Sequence, residues 1–98
     1  MDISKSNEGE KTVLTVMGRV DTTTAPAFET ALAGVAGVAS LVIDLAGVPY
    51  MSSAGLRCLL SAQKGCMSVG GSLEVRGAQP AVREIFDITG FSDILTLV

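Results

Sequence analysis

The chain has 98 residues, of which 48% are hydrophobic, and this is enough apolar material for one buried core and too much for a disordered segment. Its formal net charge of −3, without a cluster of lysines or arginines, argues against nucleic-acid binding. No apolar run reaches the roughly 18 residues of a membrane-spanning helix, and no basic stretch followed by an apolar one opens the sequence. We therefore expect one cytoplasmic domain over residues 1–98 that does not insert into a membrane.

The first half of the chain predicts two strands, a helix and a buried strand. Residues 2–8 are compatible with an edge strand, and residues 11–17 mix valine and threonine in the manner of a half-buried strand. The polar turn between them predicts a β-hairpin. A helix is expected to begin at Thr23 or Thr24. Residues 41–45 form an almost continuous apolar run, which is typical of a central strand covered on both faces.

The second half alternates helices and strands. Leucines at helical spacing predict a helix over residues 53–67, with Met67 on its buried face. A glycine pair then turns the chain into a strand over residues 72–76. Pro80 opens a third helix, because a proline is tolerated in the first turn. Residues 94–98 are expected to form the last strand.

The resulting order of elements is β-β-α-β-α-β-α-β. Strands that alternate with helices indicate parallel pairing through right-handed crossovers, and the opening hairpin adds an antiparallel edge. The sequence therefore predicts an α/β fold with a mixed, mostly parallel sheet of about five strands and three to four helices.

The constellations that support common enzyme mechanisms are missing from the chain. It has no histidine, no Gly-x-Ser-x-Gly elbow and no phosphate loop. Cys58 and Cys66 lie eight residues apart in one predicted helix, a rise of about 12 Å, which is too far for a disulfide. Asp21 and Asp44 follow predicted strands and would bind a cation only if they met; helix caps or solvated strand ends are the commoner roles. We expect no enzymatic activity, no cofactor and no metal.

The most informative stretch is the turn at Ser52 and Ser53, where a strand is followed by a helix. A hydroxyl at a helix start can accept a hydrogen bond from the first turn, and it is also well placed to carry a phosphate. Ser52 is the better candidate for the N-cap, which leaves the Ser53 hydroxyl outward and accessible. Gly55 permits either close helix packing or the close approach of a partner's backbone.

Three stretches of the sequence resemble one known family. Residues 18–21 are similar to its Gly-x-hydrophobic-Asp segment, residues 45–56 to its central serine motif, and residues 80–91 to its last helix with a glycine exit. Over nearly its whole length the chain resembles the STAS-domain anti-sigma-factor antagonists, bacterial regulators of the partner-switching type.

This resemblance implies that Ser53 is the phosphoacceptor. The family's central motif usually reads Asp-Ser-Ser/Thr-Gly-Leu, and its first serine is phosphorylated by an anti-sigma kinase. Two positions depart from that motif. Ser52 stands where the family often has aspartate, so a carboxylate is missing beside the acceptor. Ala54 stands where a second hydroxyl is common, which makes Ser53 the clearer acceptor.

The resemblance also implies the partners. The unmodified chain is expected to bind an anti-sigma factor serine kinase, phosphorylation is expected to end that complex, and a PP2C-type phosphatase is expected to restore it. The two loops that follow neighbouring strands are expected to emerge at one end of the sheet and to form the partner surface. The residues expected there are Asp21, Thr22, Thr23, Ser52, Ser53, Gly55 and Arg57.

A different role is also compatible with the sequence. A STAS domain can act as a phosphorylation-independent subunit of a transporter or lipid-trafficking complex. The serine at position 52, in place of aspartate, is the feature that favours this alternative.

Overall fold

The computed structural model describes all 98 residues, and it contains one five-stranded sheet, three α-helices and a short 3₁₀ turn. The strands are β1 (Asp2–Glu8), β2 (Lys11–Met17), β3 (Ser40–Gly47), β4 (Ser72–Arg76) and β5 (Thr96–Leu97). The helices are α1 (Ala25–Ala33), α2 (Ser53–Ser68) and α3 (Pro80–Thr89), and the 3₁₀ turn spans Phe91–Asp93. The predicted order of strands and helices is confirmed.

The sheet has the order β1-β2-β3-β4-β5. The strands β1 and β2 form the predicted antiparallel hairpin, and every later pair is parallel. Each strand from β2 to β4 is thus followed by a helix and then by its spatial neighbour on the same side. Right-handed crossovers that all step in one direction place their helices on one face of the sheet.

The buried side chains agree with a single covered face. One cluster of 21 buried residues contains the apolar residues of all three helices together with alternate residues of the central strands. Phe28 from α1 and Phe86 from α3 have 0% exposure within it. Val13 and Val42 are also buried but lie outside this cluster. They occupy paired positions on β2 and β3, and they belong to the opposite face of the sheet.

Long charged side chains, rather than a helix, lie on this opposite face. Lys11 on β2 contacts Glu74 on β4 at 3.4 Å, and Arg76 on β4 reaches Glu8 on β1 at 2.8 Å. Both pairs span intervening strands, so these side chains lie across the face on which Val13 and Val42 are buried. Arg76 also contacts Asp44 at 3.2 Å. The Arg76 hydrogen bonds and charge hold the pKa of Glu8 below its ordinary value.

Three details of the predicted elements were wrong: the start of α1, the burial of Met67 and the length of the last strand. The helix α1 begins at Ala25 rather than at Thr23 or Thr24, because those threonines belong to a turn in which the Ala25 N–H donates to the Asp21 carbonyl. Met67 is 66% exposed; Cys66, one residue earlier, occupies the buried position in the last turn of α2.

The last strand is shorter than the predicted residues 94–98. Gly90 ends α3 in the left-handed conformation, with φ of 80°. The 3₁₀ turn follows at once, and Leu95 N–H donates back to the Phe91 carbonyl at 2.8 Å. Only Thr96 and Leu97 pair with β4 as a strand.

None of the three helices combines the length and the apolar character that crossing a bilayer requires.

Candidate functional site

The loops that leave β2 and β3 are joined by main-chain hydrogen bonds. Gly18 N–H donates to the Gly47 carbonyl at 2.9 Å, and Val20 N–H donates to the Tyr50 carbonyl at 3.0 Å. Ser52 N–H then donates to the Val20 carbonyl at 2.8 Å. These bonds make a short parallel extension of the sheet, with Val20 opposite Met51. The expected emergence of the two loops at one end of the sheet is thereby confirmed.

Ser52 occupies the N-cap position of α2, but its hydroxyl does not cap the helix. Its backbone is extended, with φ of −85° and ψ of 173°, and its side chain accepts no hydrogen bond from the first turn. The Ser52 Oγ is enclosed by protein and has no hydrogen-bond partner at all. Because its N–H is bound to the Val20 carbonyl, Ser52 still belongs to the paired loops. The expectation of a capping hydroxyl was therefore wrong, whereas the expected N-cap position is confirmed.

Ser53 is the first residue of α2 and is exposed. The first turn of α2 contains no acidic residue. The first intrahelical hydrogen bond of α2 runs from the Leu56 N–H to the Ser52 carbonyl at 3.0 Å. The main-chain N–H groups before Leu56 therefore have no acceptor within the helix. The Ser53 hydroxyl thus lies in solvent at the positive end of a 16-residue helix. A negative group attached there is electrostatically favoured.

Asp21 organises the loop that lies beside Ser52. Its Oδ1 accepts hydrogen bonds from the Thr23 N–H at 3.0 Å, the Thr23 hydroxyl at 2.7 Å and the Thr24 N–H at 3.2 Å. The Thr24 hydroxyl oxygen in turn accepts the Asp21 N–H at 2.9 Å. The hydrogen bonds that the carboxylate accepts, led by that of the Thr23 hydroxyl, lower the pKa of Asp21. The Asp21 carboxylate is thus held in place beside the N-terminus of α1. Thr22, which lies between Asp21 and Thr23 in the sequence, is exposed.

Arg19 and Tyr50 form a contact across the two loops that the sequence analysis did not identify. The Arg19 guanidinium carbon lies 4.6 Å from the centroid of the Tyr50 ring, which is a cation–π distance. Arg19 Nε is also 3.8 Å from Asp21 Oδ2. Each of these residues directly precedes one member of the Val20–Met51 bridge, so their side chains share the outer side of the paired loops. The sequence carries no signal for this contact, because the pairing of the two loops is seen only in the fold.

Gly55 faces the interior of the protein, not a partner. It is buried, and a Cβ at this position would lie 2.7 Å from Val20 Cγ1 and 2.8 Å from Met51 Cγ. Its inclusion among the surface residues was therefore wrong, because the missing side chain is what lets α2 pack closely against the paired loops. Arg57, in contrast, is exposed on α2.

A surface groove of about 480 Å³ lies between the N-terminal halves of α1 and α2. Its lining residues come from both helices and from the turn before α1: Thr22, Ala25, Pro26, Glu29, Ala54, Arg57, Cys58 and Ser61. One acidic and one basic side chain, Glu29 and Arg57, therefore contribute to opposite walls. Ala54, one of the lining residues, directly follows Ser53. The groove therefore lies at the same end of the molecule as the paired loops.

The thiols and carboxylates do not assemble into a reactive or metal-binding site. Cys58 and Cys66 are free and buried, and burial raises the pKa of both thiols. Asp44 forms an ion pair with Arg76 and accepts a hydrogen bond from the Ala46 N–H at 2.9 Å. None of these groups belongs to the Asp21 turn. No group of three cysteine, aspartate or glutamate side chains is arranged to hold a metal ion.

Comparisons with known proteins agree on one relationship. The sequence profile of the family described as "Mlab, STAS domain" matches residues 3–98. The anti-sigma-B factor antagonist of Bacillus subtilis is 34% identical over 94 residues, which are 95% of this chain and 85% of that protein. The protein named anti-sigma factor antagonist BtrV in Bordetella bronchiseptica is 43% identical over 58 residues, which are 59% of this chain and 50% of BtrV.

The fold comparison covers nearly the whole chain. The crystal structure of an anti-sigma factor antagonist from Mycobacterium paratuberculosis superposes with a TM-score of 0.88 at 30% sequence identity. The superposition covers 98% of this chain and 83% of that one.

Proposed function

Since the chain belongs to the STAS-domain family of anti-sigma-factor antagonists, we propose that it is a phosphorylation-controlled antagonist in a partner-switching pathway. The unmodified chain binds an anti-sigma factor serine kinase in the cytoplasm. Phosphorylation of Ser53 ends this complex. The observation that carries the proposal is the exposed Ser53 hydroxyl at the first position of α2, directly after a serine whose own hydroxyl is enclosed.

The covalent step in the proposal is phosphoryl transfer from ATP. The Ser53 Oγ attacks the γ-phosphorus, the bond to the β-phosphate oxygen breaks, and ADP leaves while the hydroxyl proton is lost to a base of the kinase. A PP2C-type phosphatase then hydrolyses the phosphoserine with water and returns serine and inorganic phosphate. In this scheme the chain acts by binding and is the substrate of other enzymes, not an enzyme itself.

The location of Ser53 explains why the phosphate ends binding without unfolding the chain. Phosphorylation adds a charge of about −1.5 to −2. At the N-terminus of α2 this charge meets free N–H groups and no acidic neighbour in the first turn, so the folded chain tolerates it. The phosphate instead adds volume and negative charge at a position that carried only a neutral hydroxyl. A kinase surface complementary to the free hydroxyl is thus repelled.

The proposed partner surface combines the Asp21 turn with the first turns of α2. Thr22, Ser53 and Arg57 are exposed and are proposed to contact the kinase directly. Asp21 and Thr23 hold the neighbouring loop in shape through their hydrogen bonds.

Incubation with ATP and the serine kinase encoded nearest to this gene tests the modification. Intact mass should increase by one phosphate in the wild type and should not change in Ser53→Ala. Ser52→Ala is the matched control and should still be modified, because its hydroxyl is enclosed. A phosphate that persists in Ser53→Ala would contradict the assignment.

The binding surface is tested by capturing that kinase on immobilised protein. Thr22→Lys and Arg57→Glu should each weaken capture of the kinase, because both change charge on the proposed surface. Arg83→Glu on α3 changes charge by the same amount as Arg57→Glu, away from that surface, and should bind like the wild type. Equal capture by all three variants would rule out the proposed surface.

The alternative, a phosphorylation-independent subunit of a transporter or lipid-trafficking complex, is favoured by one observation. The family's usual aspartate is replaced by Ser52, so the acceptor has no adjacent carboxylate. The mass experiment separates the two functions. No phosphate on Ser53 with any serine kinase encoded in the genome supports the alternative.

A further inference from the structure

Arg57 lies one turn after Ser53 on α2. Residues four apart on a helix are neighbours on its surface, so Ser53 and Arg57 share one exposed strip. The ion pairs of the molecule involve Lys11, Arg19 and Arg76, and none of them involves Arg57. Arg57 is therefore a cation without a carboxylate in contact, next to the proposed phosphoacceptor.

The acidic residue of the facing helix α1 is Glu29, which lies across the groove from Arg57. Glu29 and Arg57 both line this groove, but they do not form an ion pair. No acidic residue occupies the first turn of α2. An anion placed on Ser53 would thus be the first negative group within direct reach of Arg57 along its own helix.

We propose that Arg57 binds the phosphate of phosphorylated Ser53 within the same chain. This inference rests on the proposed modification and adds the residue that responds to it. The anion would lie N-terminal to the cation at i, i+4, which is the more favourable orientation on a helix. The guanidinium donates two parallel hydrogen bonds to a phosphate, a geometry that the single point charge of lysine does not provide.

Pairing with the phosphate has a consequence for the groove. Arg57 turns toward the start of α2, so the groove wall opposite Glu29 loses its cation. Phosphorylation then changes the partner surface twice: it adds an anion at Ser53, and it withdraws Arg57 from the groove. The second change explains how one modification affects a surface wider than a single side chain.

The second ionisation of the phosphate reports this pairing directly. The full chain is prepared with phosphoserine installed at position 53 during translation, so no kinase is needed. Titration by phosphorus NMR then gives the pKa of the phosphate. A neighbouring arginine stabilises the dianion, and an exposed i, i+4 ion pair corresponds to a lowering of about 0.3 pKa unit, a twofold change in proton affinity.

The comparison uses four forms of the phosphorylated chain. The phosphate pKa should be higher in Arg57→Gln than in the wild type, and Arg57→Lys should recover part of the difference. Arg83→Gln, an exposed arginine on α3, is the matched control and should titrate like the wild type. Equal phosphate pKa values in the wild type and Arg57→Gln would overturn the inference.

The two proposals fail in distinguishable ways. If no kinase modifies Ser53 but the installed phosphate is sensitive to Arg57, the pairing stands and the switch does not. If the kinase modifies Ser53 but Arg57→Gln leaves the phosphate pKa unchanged, the switch stands without this residue.

Discussion

Gly55→Ala provides the sharpest test of how α2 is held against the paired loops. On an exposed helix, replacing glycine with alanine stabilises a protein by about 0.5–1 kcal/mol, because the unfolded chain loses freedom. At position 55 the new Cβ would lie 2.7 Å from Val20 Cγ1 and 2.8 Å from Met51 Cγ. Ordinary contact between carbon atoms needs about 3.5–4.0 Å. One side chain or the helix must therefore move by most of an ångström.

Both neighbours are buried in the core. Val20 and Met51 are 0% and 1% exposed, and their backbones are fixed by the hydrogen bonds between the loops. Overpacking of this kind costs about 1–3 kcal/mol. Subtracting the helix-propensity gain of about 0.5–1 kcal/mol leaves a net destabilisation of up to about 2.5 kcal/mol. For a domain of this size the melting temperature should fall by about 4–8 °C for each kcal/mol.

The same helix supplies the matched control. A Cβ at Gly65 would meet no atom within 4 Å, so Gly65→Ala should stabilise the chain by about 0.5–1 kcal/mol. Thermal and urea unfolding of both variants measure the difference. The expected result is opposite signs for the two substitutions. Equal stabilisation by both would show that α2 does not pack on the loops as described.

Three other outcomes are expected from stability measurements. Ser52→Ala should change the free energy of unfolding by less than about 0.5 kcal/mol, since no hydrogen bond is lost, whereas a capping serine is worth about 1 kcal/mol. Ser53→Asp should retain or raise the melting temperature; a fall of many degrees would refute a phosphate tolerated by the fold. Glu8 has a lowered pKa, so its pair with Arg76 stabilises the chain above the ordinary value of 4.5 and is lost as pH falls through the lowered pKa. Glu8→Gln should therefore weaken the dependence of stability on pH below 4.5, and an unchanged slope would contradict this.

Local patterns in the sequence were sufficient for most of the fold. Alternating and helical spacings specify which segments are strands and helices, and their order specifies the parallel sheet. The last strand was overextended because an apolar run at residues 94–98 looks the same whether or not it pairs. Its pairing depends on the left-handed Gly90 and on the bond from Leu95 N–H to the Phe91 carbonyl, which form only in the folded chain.

The candidate site shows where such patterns stop being sufficient. The position of Ser52 at the helix start could be predicted, but the enclosure of its hydroxyl could not. The Ser52 N–H is bound to the carbonyl of Val20, 32 residues earlier in the chain, and contacts of this range leave no local pattern. Likewise, the sequence allowed two reasons for Gly55. Only the positions of Val20 and Met51 select the packing role over the partner role.

The different environments of the two serines determine which of them can serve as a signal. A phosphate on Ser52 would have to lie where its Oγ is enclosed, and removing a charged group from water is strongly unfavourable without compensating partners. A kinase would also reach this hydroxyl only after the protein around it had moved. Ser53, one residue later, is exposed and precedes Arg57 by one turn. A phosphate there changes the charge of the partner surface while the bonds between the loops remain intact. The proposed switch therefore depends on keeping the two neighbouring hydroxyls in different environments, with Ser52 bound to the loop at Val20 and Ser53 exposed.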